Sequence, residues 1–294
     1  MPGGKKVHAS VGVIGGSGVY EIEGIKNLKE YRIKTPFGFP SDSIVVGDIG
    51  GVSCAFLPRH GRGHRILPSE VNSRANIYAL KTIGVERIIA VSACGSLKEE
   101  VKPGEFLIPD QLFDRTRERP RTFFGDGIVG HVGFAEPYCA TLSRKVYEKC
   151  RELGIPSHLG GTYVCIEGPM FSTKAESKVW RSLGFSIVGM TNLPEARLAR
   201  EAEICFTTVG LVTDYDVWKE GEEVSVERVI ATINKNVANV KKLIKAVVPE
   251  IPSLGDRRDC PCARALEGAI MTSRKAINKK TAAKLKPIIG KYLK

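Results

Sequence analysis

The chain has 294 residues, of which 43% are hydrophobic, and its formal net charge is +12 at pH 7. This length and composition allow a sizeable buried core and indicate a soluble globular protein. No run approaches the roughly 18 apolar residues of a membrane span, and the start of the chain does not have the pattern of a signal peptide, so we expect a cytoplasmic protein.

The positive charge is concentrated at the C-terminal end. From residue 268 onward there are eight Lys or Arg and no Asp or Glu, which leaves only +4 for the rest of the chain. These basic residues alternate with Ala, Ile and Leu, a pattern typical of one or two amphipathic helices with a solvated basic face. We expect a docked terminal helix or an oligomer contact, and binding of nucleic acid or another acidic surface is the alternative.

Eight cysteines lie along the chain, most of them inside apolar runs where a buried free thiol is the ordinary state. The C-x-C of Cys260 and Cys262 lacks the paired C-x-x-C spacing of a zinc site, so we expect no metal. The single glutamine and the many Lys and Arg are typical of thermophiles, in which intracellular disulfides occur. We therefore predict that Cys260 or Cys262 forms a disulfide that fixes the C-terminal segment.

Short β-rich apolar runs recur along the chain, with helical patterns between them. In chain order the predicted strands are HASVGVIGG, SIVVGDI, VSCAFLP, ERIIAVSACG, GEFLIPD, GGTYVCIEG, FSIVGMT and EICFTTVGLVTD. Helical spacing predicts helices over residues 69–83, 136–153, 173–183, 193–201 and 225–248. Strands that alternate with helices and have no polar face indicate an α/β domain with a largely parallel or mixed central sheet.

The stretch PEIPSLGDRRD, from residue 249, has two prolines and a glycine and predicts a connection. The predicted organisation is one domain over residues 7–249 and a C-terminal extension over residues 250–294, which carries the C-x-C and the basic amphipathic helix.

Four of the predicted strands end in groups that can bind an anion. Ligands of α/β sheets collect at the carboxyl ends of the strands. The GGSG turn fails the dinucleotide and P-loop fingerprints but offers backbone amides and a hydroxyl, and RHGRGH, SACGSL and MTNLPE add guanidinium, hydroxyl and amide groups. Each has an ordinary explanation, such as a solvated loop or a helix cap, but the four together predict a phosphate site. The donors of RHGRGH are Arg59, His60, Arg62, His64 and Arg65, and the other strand ends add Ser17, Ser92, Ala93 and Thr191.

A fifth strand end carries two aspartates in the sequence TDYDVW. Metal binding by Asp214 and Asp216 would need further oxygen ligands, which the loop does not offer. On a strand, residues two apart face the same side, so both carboxylates could accept from one ligand, such as a purine with an exocyclic amine. The alternative is that one aspartate, Asp216 more than Asp214, caps the following turn.

Taken in order, GGSG, TPFG.PSD, RHGRGH, NSRANIYALK, SACGSL, GTYVCIEGPMFST, MTNLPE and TDYDVWKE resemble the trimer-based purine nucleoside phosphorylase family. The resemblance covers residues 7–249 and is greatest to the branch that acts on 5′-methylthioadenosine. It implies one α/β domain with a mixed, partly barrel-like sheet, and phosphorolysis of 5′-methylthioadenosine to adenine and 5-methylthioribose 1-phosphate. It also implies no cofactor, because phosphate is a co-substrate.

The resemblance assigns roles to residues of this sequence. It implies that Met190 binds ribose and that Asp214 is catalytic and contacts N7 of the base. The phosphate site that it implies consists of Ser17, Arg59, His60, Ser92, Ala93 and Thr191. The base site falls on Phe171, Ser172, Asp214 and Asp216. The pocket for the 5′-methylthio group falls on Val226, Val229, Ile230 and, from a neighbouring subunit, His131. This implies a shared active site in a homotrimer or a dimer of trimers.

Two other functions stay open at this point. One is a broader purine nucleoside phosphorylase that accepts adenosine or inosine. The other is a basic nucleic-acid-binding protein that acts through its tail. Carboxylates that accept from a 6-amine favour adenine, and an apolar 5′ pocket favours a thioether over a hydroxyl.

Overall fold

The computed structural model describes residues 7–16, 22–221, 226–255 and 260–293, without the side chains of residues 226–229 and 231. Within these residues eleven strands form one mixed sheet. The strands are β1 (Val11–Gly15), β2 (Lys26–Tyr31), β3 (Ile44–Ile49), β4 (Val52–Pro58), β5 (Arg87–Ser96), β6 (Phe106–Ile108), β7 (Gln111–Arg115), β8 (Ser157–Leu159), β9 (Thr162–Ile166), β10 (Ile187–Gly189) and β11 (Cys205–Asp214). The α-helices are α1 (Ser73–Thr82), α2 (Ala140–Glu152), α3 (Lys174–Ser182), α4 (Glu195–Glu201), α5 (Val226–Val247), α6 (Lys279–Lys284) and α7 (Lys286–Ile289).

The sheet forks at β5. One path runs β2-β3-β4-β1-β5-β10-β9-β7, and β11 leads from β5 through β6 to β8. Strands β4, β1, β5 and β11 are mutually parallel neighbours in that region, whereas β10 runs antiparallel to the end of β5. The predicted fold, an α/β domain with a mixed sheet, is confirmed. The parallel strands also bring the ends of four separate runs of sequence to one edge.

The central strands are buried on both faces, as their continuously apolar sequences predicted. Every residue of β1 is buried, and nine of the ten residues of β11 are buried. Strand β2 (KNLKEY) is the opposite, because five of its six residues are exposed at the edge of the sheet. This strand, β7 and β8 were not predicted.

The helices begin later than their apolar spacing predicted, and in α1 and α3 a polar cap sets the first turn. The Asn72 side chain accepts from the N–H of Ala75, 3.1 Å away, so α1 begins at residue 73 rather than 69. A capping box between Thr173 and Glu176 starts α3. None of the helices in the described part of the chain combines the length and the apolar character needed to cross a membrane.

The described part of the C-terminal segment packs against the sheet domain. Leu285 and Ile289 are buried in the same cluster as α1 and α4, and the Tyr78 hydroxyl donates to the carbonyl of Lys284, 2.8 Å away. Lys291 pairs with the buried Glu203 at 2.6 Å. The segment forms two short helices and 3-10 turns, and a proline at the second residue of α7 separates the two helices.

None of the eight cysteines forms a disulfide. The Sγ atoms of Cys205 and Cys260 lie 3.3 Å apart, which is longer than the roughly 2.05 Å of a disulfide. The predicted disulfide of the C-terminal segment is therefore not confirmed.

Candidate active site

A cavity of about 590 Å³ opens at the edge where the parallel strands end. This volume lies in the range of small-molecule sites. Its wall contains residues from all five predicted strand ends. Of the predicted site residues, those lining the cavity are Arg59, His60, Phe171, Ser172, Ser92, Ala93, Met190, Thr191, Asp214 and Asp216.

One end of the cavity is built around a buried ion pair. The Arg59 side chain follows β4, and its Nε and Nη2 donate to the two carboxylate oxygens of Glu195 at 2.6 and 2.9 Å. Its Nη1 donates to the carbonyl of Val91, 2.9 Å away. Burial lowers the pKa of Arg59, but the Glu195 carboxylate more than offsets this and holds the pKa above its usual value. A guanidinium has five N–H donors, so two are left for a ligand.

His60 stands next to this pair as a neutral ring. Burial and then the charge of Arg59 lower the pKa of His60 to about 4. The Nδ1 atom lies 2.8 Å from the carbonyl of Ile66, which only accepts, so the neutral ring donates from Nδ1. The ring of His64 stacks on that of His60, with centroids 4.5 Å apart.

Three hydroxyls meet beside the guanidinium. The Ser92 Oγ lies 3.0 Å from the Tyr163 hydroxyl and 2.9 Å from Thr191 Oγ1. Tyr163 is fully buried under the cavity floor, and a Cβ at Gly189 would lie 2.0 Å from its oxygen. Glycine at 189 is therefore required for the tyrosine to support Ser92.

The opposite end carries the two aspartates, but not on one strand. Asp214 is the last residue of β11, whereas Asp216 lies in the following turn with a φ of +52°. The expectation that strand alternation places both on one side is wrong. The N–H of Asp216 instead donates to Asp214 Oδ1, 2.7 Å away, and this turn carries Asp216 to the cavity.

Both carboxyls are held in an environment that favours protonation. Burial raises the pKa of Asp214, although hydrogen bonds from Thr213 and from the Asp216 backbone oppose the rise. Burial also raises the pKa of Asp216, and the nearby Asp214 adds to the rise. Among the described residues, neither Asp216 Oδ2 nor the hydroxyl of Ser172 makes a hydrogen bond of normal geometry, although Ser172 and Ser177 lie close enough to lower the pKa of Asp216 and partly oppose the rise. Two such polar atoms in one cavity wall are suited to a ligand with both a donor and an acceptor.

Gly95 makes room for the aspartate turn. A Cβ at this position would lie 2.8 Å from Asp214 Oδ1 and 3.2 Å from the backbone nitrogen of Asp216. For the phosphorolysis that the sequence resemblance implies, we expect Gly95→Ala to lower kcat/KM for the nucleoside about 10- to 100-fold by displacing the carboxylates, with little change in phosphate KM. Steady-state kinetics measures this. Gly133→Ala is the control, because a Cβ there meets nothing within 4 Å. A nucleoside kcat/KM for Gly95→Ala equal to that of the control would contradict it.

The Met190 segment is positioned by a buried arginine that the sequence analysis did not identify. Arg119 Nη1 donates to the carbonyls of Met190 and Leu193 at 2.6 and 2.7 Å, and its Nη2 donates to the carbonyl of Glu167 at 2.6 Å. Its Nε also pairs with the Glu167 carboxylate at 3.1 Å. Arg119 therefore fixes the ends of β9 and β10 relative to each other.

The predicted pocket for the 5′ group is only partly described. Ser17 and the side chains of Val226 and Val229 lie outside the described residues. Ile230 is 52% exposed and does not line the cavity, which differs from the expectation. Ile233 and Val237, further along α5, line it instead. His131 is exposed and does not line this chain's own cavity.

The sequence and fold match one known family. Residues 10–249 match the family model of the phosphorylase superfamily. The chain belongs to this superfamily.

Superfamily members with similar sequences and folds have related names. The S-methyl-5′-thioadenosine phosphorylase of Geobacter sulfurreducens is 54% identical over 286 residues, which cover 96% of this chain and 99% of that protein. The crystal structure of a methylthioadenosine phosphorylase from an antarctic soil metagenomic library matches with a TM-score of 0.92 at 46% identity, covering 96% of this chain and 99% of that one. A mutant adenosine/methylthioadenosine phosphorylase from Schistosoma mansoni, in complex with adenine, has a TM-score of 0.85 at 37% identity, covering 90% and 99%.

Proposed function

We propose that the protein is an S-methyl-5′-thioadenosine phosphorylase, a pentosyltransferase that converts 5′-methylthioadenosine and phosphate to adenine and 5-methylthioribose 1-phosphate. The observation that carries this is a single cavity with a guanidinium and hydroxyls at one end and two buried carboxyls at the other. The first end suits an anion and the second suits the N–H donors of adenine. The names of the similar proteins agree with this reaction.

Phosphate binds at the Arg59 end. The two free N–H donors of Arg59 and the hydroxyls of Ser92 and Thr191 supply hydrogen bonds, and the exposed backbone at Ala93 adds to the site. Ser17, which lies outside the described residues, completes the site in this proposal. Neutral His60 donates to Ile66 from Nδ1, so its Nε2 accepts from the P–OH of hydrogen phosphate.

Adenine binds at the aspartate end. Oδ2 of Asp216 accepts a hydrogen bond from the 6-amine, and the hydroxyl of Ser172 forms a hydrogen bond to a second edge of the base. Phe171 is 53% exposed at the rim of the cavity, where its ring can cover the purine. A 6-oxopurine offers an oxygen in place of the amine and leaves Asp216 without a donor, so adenine is preferred.

Asp214 carries the catalytic proton on Oδ2. Its Oδ1 accepts from a backbone N–H that cannot become an acceptor, which leaves only Oδ2 as the protonated atom. Thr213 Oγ1 lies 2.6 Å from Oδ2 and 3.3 Å from the carbonyl of Cys94, so its hydroxyl can donate to Cys94 when Oδ2 is protonated. The raised pKa of Asp214 keeps more of this acid at neutral pH.

The reaction follows from these positions. A phosphate oxygen forms a bond to C1′ while the C1′–N9 bond breaks. The electron pair of the C1′–N9 bond moves into the purine. Asp214 donates its proton to N7, so adenine leaves neutral and the negative phosphate offsets the positive charge that develops on the sugar. No cofactor takes part, because phosphate is a co-substrate.

The sugar binds between these two ends. Met190 contacts the ribose, and Ile233 and Val237 form an apolar wall that suits the methylthio group. Val226, Val229 and the His131 of a neighbouring subunit complete this pocket in the proposal.

The protein is further proposed to be a cytoplasmic homotrimer or dimer of trimers. Support for an oligomer comes from an apolar surface on β7 and α3, where Phe113 is 40% exposed and Val179 is 49% exposed. A second depression of about 410 Å³ lies between these side chains.

The assay that tests this function measures adenine released from 5′-methylthioadenosine with and without phosphate. We expect release that depends on phosphate, and a kcat/KM at least about 100-fold above that for inosine, because Asp216 lacks a partner when the 6-amine is absent. Adenosine is the second comparison, since one similar protein is named for both nucleosides. A preference for inosine, or release of adenine without phosphate, would contradict the proposal. Deletion of residues 256–294 tests the basic-tail alternative. If this deletion removed only nucleic-acid binding, the result would favour that alternative.

A further inference from the structure

Four cysteine thiols converge at the end of the sheet opposite the candidate active site. The Sγ atoms of Cys139, Cys205, Cys260 and Cys262 all lie within 4.8 Å of one another. Three of the four residues are buried and Cys260 is half-buried. Cys139 precedes α2, Cys205 is the first residue of β11, and the C-x-C starts the tail, so only the folded chain assembles the cluster.

The spacing of the sulfurs is that of a metal site. Tetrahedral Zn²⁺ has Zn–S bonds of about 2.3 Å, which places its sulfurs about 3.8 Å apart, whereas a disulfide needs about 2.05 Å. The Cys205 and Cys260 sulfurs are 3.3 Å apart, and no other pair exceeds 4.8 Å. We propose that these four cysteines bind one structural Zn²⁺.

A buried guanidinium, that of Arg200, supports a negatively charged cluster at this place. Four thiolates around Zn²⁺ carry a net charge of −2. Arg200 is 7% exposed, its Nη1 donates to Cys262 Sγ at 3.5 Å, and its Nη2 donates to the carbonyl of Glu136. Among the described residues no carboxylate pairs with Arg200. A thiolate at Cys262 would supply counter-charge to this buried guanidinium.

The position of Cys139 also favours a thiolate. It is the N-cap residue of the 13-residue helix α2, and its side chain makes no capping hydrogen bond. The positive end of a helix stabilises a thiolate sulfur. One of the four ligands is thus placed in a field that favours metal binding.

The zinc would act on stability rather than on catalysis. Cys205 and Asp214 are the first and last residues of the ten-residue strand β11, which spans about 30 Å. Four protein ligands leave no open position for substrate. The ion joins residues 260–262 of the C-terminal segment to β11 and α2, and its loss would release that part of the segment.

Metal analysis of the purified protein tests the proposal. Protein expressed with zinc in the medium and purified under reducing conditions is expected to contain about one zinc per chain, bound to four sulfurs at about 2.3 Å by X-ray absorption. Cys260→Ser with Cys262→Ser is expected to remove the zinc, and Cys54→Ala, a buried free cysteine outside the cluster, is expected to keep it. Chelation should lower the Tm by about 5–10 °C, as for loss of a native cross-link. The kcat for 5′-methylthioadenosine, measured below both Tm values, should change less than about twofold.

Three results would overturn the proposal. The first is protein without metal whose mass under non-reducing conditions shows disulfides within the cluster. The second is protein without metal in which all eight thiols are alkylated. The third is one equivalent of iron in place of zinc. The sulfur coordination is read on the unaltered protein, so the test stands even if the double variant does not fold.

Discussion

Asp214→Asn is expected to lower kcat for 5′-methylthioadenosine by about 100-fold or more, while the KM for phosphate changes less than about twofold. Asparagine keeps an oxygen that can accept from the Asp216 N–H, so the turn that holds Asp216 is preserved. Its amide nitrogen then takes the place of Oδ2 and still donates to N7, but it has no proton to transfer. The variant therefore separates hydrogen bonding from proton transfer at the same atom, and rapid-quench kinetics with adenine detection measures the chemical step.

Asp214→Ala removes both contributions and is expected to lose more than Asp214→Asn, by about a further 10-fold. The matched control is Asp48→Asn, which changes a carboxylate on the far arm of the sheet that accepts from Asn27. A kcat for Asp214→Asn within about twofold of that control would remove Asp214 from proton transfer.

The pH dependence of kcat is an independent test of proton donation by Asp214. The active form of Asp214 is the acid, so activity is present below its pKa and is lost as the pH rises through it. Burial raises this pKa, which extends activity to higher pH than an ordinary aspartate would allow. In Asp214→Asn this alkaline loss should disappear from the kcat profile, leaving a lower but flatter curve.

Much of the fold followed from the sequence because its central strands are buried on both faces. A continuous apolar run such as that of β11 has one stable place, inside a sheet covered by helices. Strand β2 could not be predicted in this way, since its exposed residues do not alternate between apolar and polar side chains. It is a strand because it pairs with β3, and this pairing cannot be read from the sequence of β2 alone.

The sequence predicted the residues whose own side chains line the cavity. Arg59, Ser92 and Asp214 follow apolar runs, and parallel strands bring those ends together. The residues that hold them in place were missed. Glu195 lies in the first turn of α4, where an acidic residue is ordinary, and Tyr163 lies within an apolar run where an aromatic side chain predicts only core.

The cysteine cluster shows the same limit. The sequence analysis expected no metal at the C-x-C, and the other two cysteines of the cluster stand alone in apolar segments, where a single cysteine predicts a buried thiol. Spacing along the chain identifies a metal site only when the ligands are local. Here β11 and α2 supply the remaining two, and the sheet must fold before the four sulfurs can meet.

Arg59→Leu is expected to raise the phosphate KM by about 100- to 1,000-fold, because two charge-assisted hydrogen bonds to phosphate are lost. It should also lower the free energy of unfolding by about 3–5 kcal/mol, since Glu195 is then a fully buried carboxylate without its partner. Phosphate-saturation kinetics and urea unfolding at pH 7 measure the two effects separately.

The double variant Arg59→Leu with Glu195→Leu distinguishes these roles. Replacing both partners of a buried ion pair by apolar groups is often close to neutral, so most of the lost stability should return. Phosphate affinity should not return, because a carboxylate that only orients the guanidinium contributes nothing once the guanidinium is absent. Glu195→Leu alone should cost stability and also raise the phosphate KM, since Arg59 then keeps only its bond to the Val91 carbonyl. If the double variant recovered phosphate affinity together with stability, Arg59 would be part of the scaffold, and the anion would have to bind through the hydroxyls of Ser92 and Thr191.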